Sequence, residues 1–153
     1  MITNGIYWIG EKGDVRLKEL TAGTPLKSPI WDLGSETKFP TLGSGVTVLE
    51  GTEYPARMFA NRIKVICREA GLGGTSVKVT LKTSSSKTSA GALDNATAIY
   101  EKTIPLAALI QGEVLVNTEV DYMTKRYIQC EISVVGTFTA GVVFGEVTPI
   151  VSK

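Results

Sequence analysis

A short run of serines between two lysines is the first stretch of this sequence whose residue types suggest catalysis. The serines occupy positions 84–86 and lie between Lys82 and Lys87. A serine hydroxyl becomes a nucleophile when a neutral lysine amine accepts its proton, and that amine is neutral near pH 7 only when it is removed from water. The surrounding residues are small and polar, which predicts a solvated loop with charged lysines. We therefore expect no catalysis from this run.

The chain contains no histidine, which excludes several kinds of site. Histidine is the commonest general base and the commonest metal ligand in proteins. Ser-His-Asp and Cys-His centres are impossible without it, and so are histidine-based zinc sites. The two cysteines, Cys67 and Cys130, fall at inward-facing positions of predicted strands. We expect two buried free thiols rather than a disulfide.

Two further patterns contain residue types that occur in binding sites for phosphate or metal. Glycine-rich residues 43–45 and 71–74 are not followed by the Lys-Ser/Thr pair of a phosphate-binding loop, so they predict turns. Asp94, Asn95, Glu50 and Glu53 carry oxygens that suit calcium. A calcium site takes six or more oxygens, and no loop of regularly spaced acidic residues is present. The sequence thus predicts no catalytic residue, no cofactor and no metal.

Four aromatic residues are candidates for contact with another subunit or a larger partner. Tyr7 and Trp8 lie in an N-terminal segment of weak strand character. This segment either folds back on its own domain or docks on a neighbour, where large rigid side chains make good anchors. Tyr127 falls on the outward-facing set of a strand, and Phe138 lies in the short connection that follows. Aromatic rings exposed at such positions cover partner surface with little entropic cost.

Alternation of apolar and polar residues with a period of two is the main structural signal, and it predicts strands with one buried face. It is clearest in residues 62–68, 76–83 and 126–134. The inward-facing sets are Ile63, Val65 and Cys67; Val77, Val79 and Leu81; and Ile128, Cys130, Ile132 and Val134. Weaker strand candidates cover residues 15–20, 29–33, 45–49, 98–104, 114–118 and 142–148.

Turn residues separate these segments. Glycine-rich residues 71–76 and 136–141 each predict a hairpin between consecutive strands. Residues 83–96 predict a long, mobile polar loop. Pro105 at a first helical position and Gly112 as a cap predict one short helix of at most two turns.

The length and composition indicate one globular domain. The chain has 153 residues, of which 43% are hydrophobic and 20% charged, and these values are typical of a single folded unit. Roughly nine short strands predict an all-β sandwich or barrel. A single-domain jelly-roll sandwich with one short helix fits best, because this fold accommodates long connections between its sheets. The jelly roll would span residues 21–153, with residues 1–20 as an N-terminal arm or edge segment.

The charge and hydropathy patterns restrict the partners and the location. The net charge is +1, so the chain lacks the positive field of a typical nucleic-acid binder. No stretch approaches the roughly 20 apolar residues of a membrane span. Glu11, Lys12 and Asp14 interrupt any apolar region of a signal peptide. We expect a soluble protein that is made in a cytoplasm.

A resemblance to a known family lies in the C-terminal part. Residues 104–116 read IPLAALIQGEVLV, and residues 125–147 read KRYIQCEISVVGTFTAGVVFGEV. The chain resembles the jelly-roll cement (decoration) proteins of tailed-phage capsids in three features. These are an Ile-Pro pair that begins a short helix, a Lys-Arg-Tyr triplet before a long strand, and a Gly-Thr-Phe-Thr-Ala-Gly turn. Residues 30–35 and 76–86 are also similar to that family. The resemblance covers residues 20–153, with a poor match over residues 39–55.

The resemblance implies a structural role on a virion. The protein would form homotrimers on the outside of an icosahedral head, over junctions between major capsid protein subunits, and clamp these against the pressure of the packaged DNA. Three contacts made at once become strong through multivalency. The resemblance implies no enzyme activity, no small-molecule substrate, no direct contact with nucleic acid and no membrane.

Two other functions stay open. A jelly-roll module that recognises carbohydrate or a host receptor would show an exposed aromatic platform, for which Trp8, Trp31 and Tyr54 are candidates, or a metal site. Saturable binding to glycans would favour it. An enzyme of the cupin type would depend on histidine ligands, which the chain lacks, and measurable turnover would be needed to support it.

Overall fold

The computed structural model describes residues 7–10, 12–32, 59–120 and 125–151. In these residues the chain is all-β, with antiparallel strands and two single turns of 3₁₀ helix, Leu17–Glu19 and Leu106–Ala108. The strands are β1 Tyr7–Trp8, β2 Asp14–Arg16, β3 Leu26–Lys27, β4 Trp31–Asp32, β5 Phe59–Leu72, β6 Ser76–Ser84, β7 Ser86–Lys87, β8 Leu93–Asp94, β9 Thr97–Pro105, β10 Val114–Val120, β11 Tyr127–Val135 and β12 Ala140–Val151.

Two five-stranded sheets form the body of the domain. The first sheet has the order β1-β12-β5-β10, and β2 also pairs with β12. The second sheet has the order β3-β11-β6-β9, and β4 also pairs with β11. Strands β7 and β8 form a separate two-stranded ribbon. The long central ladders, β5 with β12 and β6 with β11, hold each sheet together.

The core lies between the two sheets, which therefore form a sandwich. All ten side chains that the alternation placed inward are buried, with no more than 3% of any of these residues exposed. Residues of both sheets belong to one continuous cluster. Each fully buried aliphatic side chain contributes about 1.5–3 kcal/mol relative to an exposed one. The three clearest strand predictions are thus confirmed, down to the face that each side chain occupies.

Both predicted hairpins are wrong, because each glycine-rich turn joins strands of different sheets. Strand β5 belongs to the first sheet and β6 to the second, while β11 belongs to the second and β12 to the first. The two connections cross the same end of the sandwich side by side, where the Thr75 amide donates to the Val135 carbonyl at 2.8 Å. Gly136 has a φ of +81°, and a Cβ on it would lie 3.0 Å from the Thr75 nitrogen. Glycine is needed at this crossing both for its backbone conformation and for its small size.

The remaining elements differ in extent from the predictions. Residues 83–96 hold the β7–β8 ribbon rather than a long loop, and the Thr88 amide donates to the Ala92 carbonyl at 2.8 Å across its turn. The predicted helix after Pro105 is one 3₁₀ turn. Candidates 98–104, 114–118 and 142–148 lie within β9, β10 and β12, and 15–20 divides between β2 and a 3₁₀ turn. Of candidate 29–33, residues 31 and 32 form β4, and residue 33 lies outside the described part. Residues 45–49 lie outside the described part.

The N-terminal segment lies along the edge of the first sheet. Strands β1 and β2 both pair with β12, at Trp8–Glu146 and at Asp14–Phe144 respectively. Between and after them, Ile9, Val15 and Leu17 belong to the core cluster. The described residues of this segment are thus packed on the body of the domain.

Candidate interaction surfaces

The serine–lysine run anchors the β7–β8 ribbon. Ser84 is buried, and its hydroxyl bonds to the backbone carbonyls of Ser86 and Asp94. Lys82 Nζ lies 3.2 Å from Glu131 Oε2 on the neighbouring strand. The hydroxyl and the amine therefore have separate partners, and both sets of contacts stabilise the fold locally.

The two thiols lie in the core and are held in their protonated form. Both are free, and the Cys67 thiol donates to the Glu69 carbonyl at 3.3 Å. Burial raises the pKa of Cys67. Burial, with a smaller effect from the neighbouring Glu131, raises the pKa of Cys130 to about 12. A thiol that stays protonated at neutral pH is a poor nucleophile and a poor metal ligand.

The acidic side chains considered for calcium have other surroundings. Asp94 accepts a hydrogen bond from the Ser86 hydroxyl at 3.1 Å. Among the residues that the structure describes, no three histidine, cysteine, aspartate or glutamate side chains come together in a way that would hold a metal ion. Glu50 and Glu53 lie outside the described part.

Tyr127 is buried, so the prediction that it exposes an aromatic surface is wrong. The residue is 9% exposed, although it pairs with Ser84 on the side of the second sheet that faces away from the core. The Lys87 amine lies 5.1 Å and the Arg126 guanidinium 4.8 Å from the centroid of its ring. Since Lys87 belongs to β7, the ribbon covers this part of the sheet. Tyr127 serves to hold the ribbon and leaves little surface for a partner.

Phe138 is also buried, so the prediction that its ring is exposed is wrong. The residue is 3% exposed and belongs to the core cluster. A Cβ on Gly74 would lie 2.1 Å from its ring, and one on Gly71 would lie 3.3 Å from it. The missing side chains of these glycines leave a slot between the two crossing connections, and the ring fills it. Phe138 closes this end of the sandwich from inside.

Trp8 is packed against its own domain and still exposes part of its ring. The residue is 40% exposed, and its ring meets Phe144 edge to face, with 5.2 Å between centroids. The Arg68 guanidinium lies 4.2 Å from the Phe144 centroid and forms an ion pair with Asp14 at 3.2 Å. The backbone of Tyr7 pairs with β12, and its side chain lies outside the described part. Contact of these two residues with a partner stays a prediction.

The aromatic platform expected of a carbohydrate-binding module is not assembled from its described members. Trp31 is 8% exposed and lies in the core cluster. It belongs to the second sheet, whereas Trp8 lies at the edge of the first. Tyr54 lies outside the described part. Trp8 is therefore the one candidate of the three with a demonstrated exposed ring.

Among the residues that the structure describes, four aliphatic side chains are more exposed than Trp8, and none of them is among the contact candidates predicted from the sequence. They are Leu72, Ile110, Val114 and Val135, each with more than half of its surface in solvent. Leu72 and Val135 lie beside the crossing connections, at outward positions where alternation would place polar residues. An apolar residue at an outward position is the sequence signal that would have indicated the exposure of Leu72 and Val135.

A shallow groove runs along one side of the sandwich, between the edge strands β9 and β10. We call it the edge groove, and its volume is about 220 Å³. The Lys102 amine donates to the Leu115 carbonyl at 2.6 Å, at the bulge in β10. The edge groove is lined by Lys102, Thr103, Ile104, Pro105, Ala108, Ile110, Glu113, Val114 and Leu115. Most of its surface is thus apolar, with one charge of each sign.

Comparisons with known proteins leave the chain without an assigned family. No family model matches it, and no curated protein matches it by sequence. The described part of the chain contains no helix with the length and apolar character needed to cross a membrane.

Proposed function

We propose that the sandwich is a jelly roll. This fold has eight strands in two sheets, formed by two Greek keys. If β1 with β2 and β3 with β4 are each counted as one edge element, every sheet contains four, in the orders β2-β12-β5-β10 and β3-β11-β6-β9. Consecutive elements of the chain lie in different sheets at every step except from β6 to β9, and the last strand, β12, lies between β2 and β5, the first two elements of its sheet. This order supports a jelly roll over a sandwich of simple meanders.

We propose that the protein is a capsid cement that binds the outside of an icosahedral phage head. It would act as a trimer and stabilise the contacts between major capsid protein subunits. The observation that carries this proposal is the resemblance of residues 104–116 and 125–147 to the cement family. These residues form the end of β9, the 3₁₀ turn that follows it, the start of β10, the whole of β11 and most of β12. Strands β11 and β12 are central strands of the two sheets.

The physical properties of the domain are compatible with a clamp. A cement acts by holding its neighbours at fixed spacing, so it needs a rigid body and several surface contacts of modest strength. The long ladders supply the rigid body. The exposed apolar side chains Leu72, Ile110, Val114 and Val135 are suitable contact points. A trimer repeats each contact three times, which raises the overall affinity without any strong single site.

A carbohydrate-binding module finds less support. The burial of Trp31 removes one member of its expected aromatic platform. An enzyme would need a cluster of reactive groups, whereas the described lysine, serine and thiol candidates are engaged in structural contacts. Neither alternative is favoured by a specific observation.

Binding to heads tests the proposal. The purified chain would be mixed with DNA-filled heads that lack it, from the phage that encodes it, and the heads would be sedimented and their bound protein counted. We expect saturable binding at a fixed number of copies per head. An unrelated β-sandwich domain of similar size and charge serves as the control. Failure to sediment with the heads at micromolar concentration would refute the proposal.

A further inference from the structure

Three connections between strands lie side by side at one end of the sandwich. Each runs from the last residue of one strand to the first residue of the next, and together they comprise residues 72–76, 105–114 and 135–140. The Leu106 amide donates to the Thr75 carbonyl at 2.9 Å, and the Thr139 amide donates to the Leu72 carbonyl at 2.8 Å. These bonds join the three connections into one layer, which we call the crossing end.

The crossing end contains almost no charge. Glu113 is the single charged residue in its three connections, whereas 20% of the residues in the whole chain are charged. At the opposite end of the sandwich, Asp32, Lys125 and Arg126 lie beside the start of β11. Depletion of charged residues is the compositional feature that distinguishes the centre of a protein interface from other surface. The crossing end has the composition of such a centre.

The exposed aliphatic side chains are gathered at the crossing end. Leu72 and Val135 are the last residues of β5 and β11, while Ile110 and Val114 belong to the connection between β9 and β10. Each is between 52% and 58% exposed. Of the large hydrophobic residues exposed in the described part of the chain, Trp8 alone lies elsewhere. A group of exposed apolar side chains on one surface of a folded domain marks a contact with another macromolecule.

The position of the charges restricts the class of partner. Lys18 and Glu69 line a depression with Thr139 at one margin of the crossing end, and Lys102 lines the edge groove with Glu113 at another. The phosphates of a nucleic acid or of lipid head groups would therefore meet no cation at the centre. A partner that fits this end is itself apolar and uncharged where the two surfaces meet, with polar groups around that area. A protein surface has this character.

The extent of the apolar surface favours a repeated weak contact over a stable pair of copies. Four aliphatic side chains that are each little more than half exposed present a few hundred Å², comparable with the largest apolar patch of an ordinary monomer, about 300–600 Å². A stable interface buries about 800 Å² of each partner. A contact of this extent is weak alone and becomes firm when it is repeated between the same two particles, as the proposed cement function provides.

We propose that the crossing end is the face with which the protein docks on an apolar surface of the capsid shell. The proposal rests on the cement function and adds the orientation of the domain. The strands would point away from the shell, and the charged end beside the start of β11 would face the solvent. The hydrogen bonds between the connections and the buried ring of Phe138 hold the docking face in place before binding, which lowers the entropic cost of the contact.

Binding to heads tests the docking face with matched substitutions. Val135→Lys and Leu72→Lys each place a charge on the crossing end, at residues that are 57% and 58% exposed and whose replacement leaves the core intact. Ala92→Lys places the same charge on an exposed residue in the β7–β8 turn. We expect Ala92→Lys to sediment with DNA-filled heads as the wild type does. Both variants of the crossing end should bind at least about tenfold more weakly, as is usual for a disrupted interface centre. Equal binding of all four proteins, or an equal loss with Ala92→Lys, would overturn the proposal.

Two further mixtures test other occupants of the same end. Vesicles of phosphatidylcholine and phosphatidylglycerol replace the heads in the first, and the protein alone is followed by light scattering over a concentration series in the second. Vesicle binding that Val135→Lys abolishes would assign the end to a lipid surface. Self-association that Val135→Lys abolishes, while its binding to heads is unchanged, would assign the end to contacts between copies. Either result would contradict the proposal.

Protection of an introduced thiol tests the docking face without adding a charge. Chains with Val135→Cys or Ala92→Cys would be treated with a maleimide, both free and bound to heads. The native Cys67 and Cys130 are buried and should not react. We expect the Val135→Cys chain to react at least about tenfold more slowly on heads, because an interface centre excludes solvent and reagent, and the Ala92→Cys chain to react equally fast in both states. Equal rates for Val135→Cys in both states would contradict the assignment of this face.

The failures of the two proposals can be told apart. If the wild type and both lysine variants of the crossing end bind heads equally well, the docking face is wrong and the cement function stands. If the wild type does not bind heads, the cement function is wrong, and the docking face falls with it.

Discussion

Replacing Phe138 by alanine should destabilise the domain strongly, because the ring fills a slot that is lined by glycines. The residue is 3% exposed, and buried Phe→Ala substitutions cost about 3–5 kcal/mol. One wall of the slot is formed by Gly71 and Gly74, which have no side chains that could move into the void. We therefore expect Phe138→Ala to lower the free energy of unfolding by about 4 kcal/mol. A natural domain has a total stability of about 5–15 kcal/mol.

Urea unfolding followed by circular dichroism measures this loss, with Phe144→Ala as the matched control. Phe144 is half-buried on the outer face of the first sheet, so its replacement should cost less, roughly 1–2 kcal/mol by lost burial and ring contact. For a domain of this size, 4 kcal/mol corresponds to a fall in Tm of about 8–16 °C. A loss for Phe138→Ala below about 1 kcal/mol, or equal to that of Phe144→Ala, would refute the assignment of Phe138 to the core.

Three further predictions test the packing and the electrostatics. The pKa of Cys130 is raised from 9.0 to about 12 in the folded state, so its contribution to stability is complete below pH 9 and is lost as the pH rises toward 12. Between these pH values the wild type should lose up to about 1.4 kcal/mol more of its free energy of unfolding per pH unit than Cys130→Ala. Equal pH profiles of the two proteins in urea titrations would contradict this. Gly74→Ala places a Cβ 2.1 Å from the Phe138 ring and should lower the free energy of unfolding by about 1–3 kcal/mol. Adding Phe138→Leu to the same chain should relieve part of that loss. Strictly additive effects of the two substitutions in a double-mutant cycle would count against the contact. Asp32→Asn removes an exposed ion pair with Arg126 and should change the free energy of unfolding by less than about 1 kcal/mol; a larger loss would mean that the pair is better shielded from solvent than its exposure indicates.

Local patterns in the sequence predicted the strands and their buried faces well. Alternation is a property of the strand itself, so Ile63, Val77 and Ile128 were assigned to the core correctly. The same patterns did not determine which strands are neighbours. A glycine-rich turn at residues 71–76 allows a hairpin and a crossing between sheets equally, and both strands at such a turn bury one face in either arrangement. The ladder partners depend on contacts far apart in the chain, such as those of β5 with β12.

The errors in the predicted exposure of Tyr127 and Phe138 have a related cause. Alternation tells which side of a sheet a residue occupies but not what covers that side. Tyr127 lies on the outer side and is buried because the β7–β8 ribbon lies over it. Phe138 lies in a turn and is buried because Gly74, far from it in the sequence, leaves room for the ring. The sequence predicted a short helix around Ile110 and a strand that begins at Val114. Neither prediction said which of their side chains would be exposed, so the exposure of these two residues was not predicted.

The most direct test of a head-stabilising role is the temperature at which filled heads release their DNA, measured with a dye that is excluded from intact heads. Heads that lack the chain would be compared with the same heads at increasing occupancy by the purified protein. The cement function predicts a release temperature that rises with occupancy and levels off when binding is saturated. An unchanged release temperature on heads that have bound the protein to saturation would contradict it.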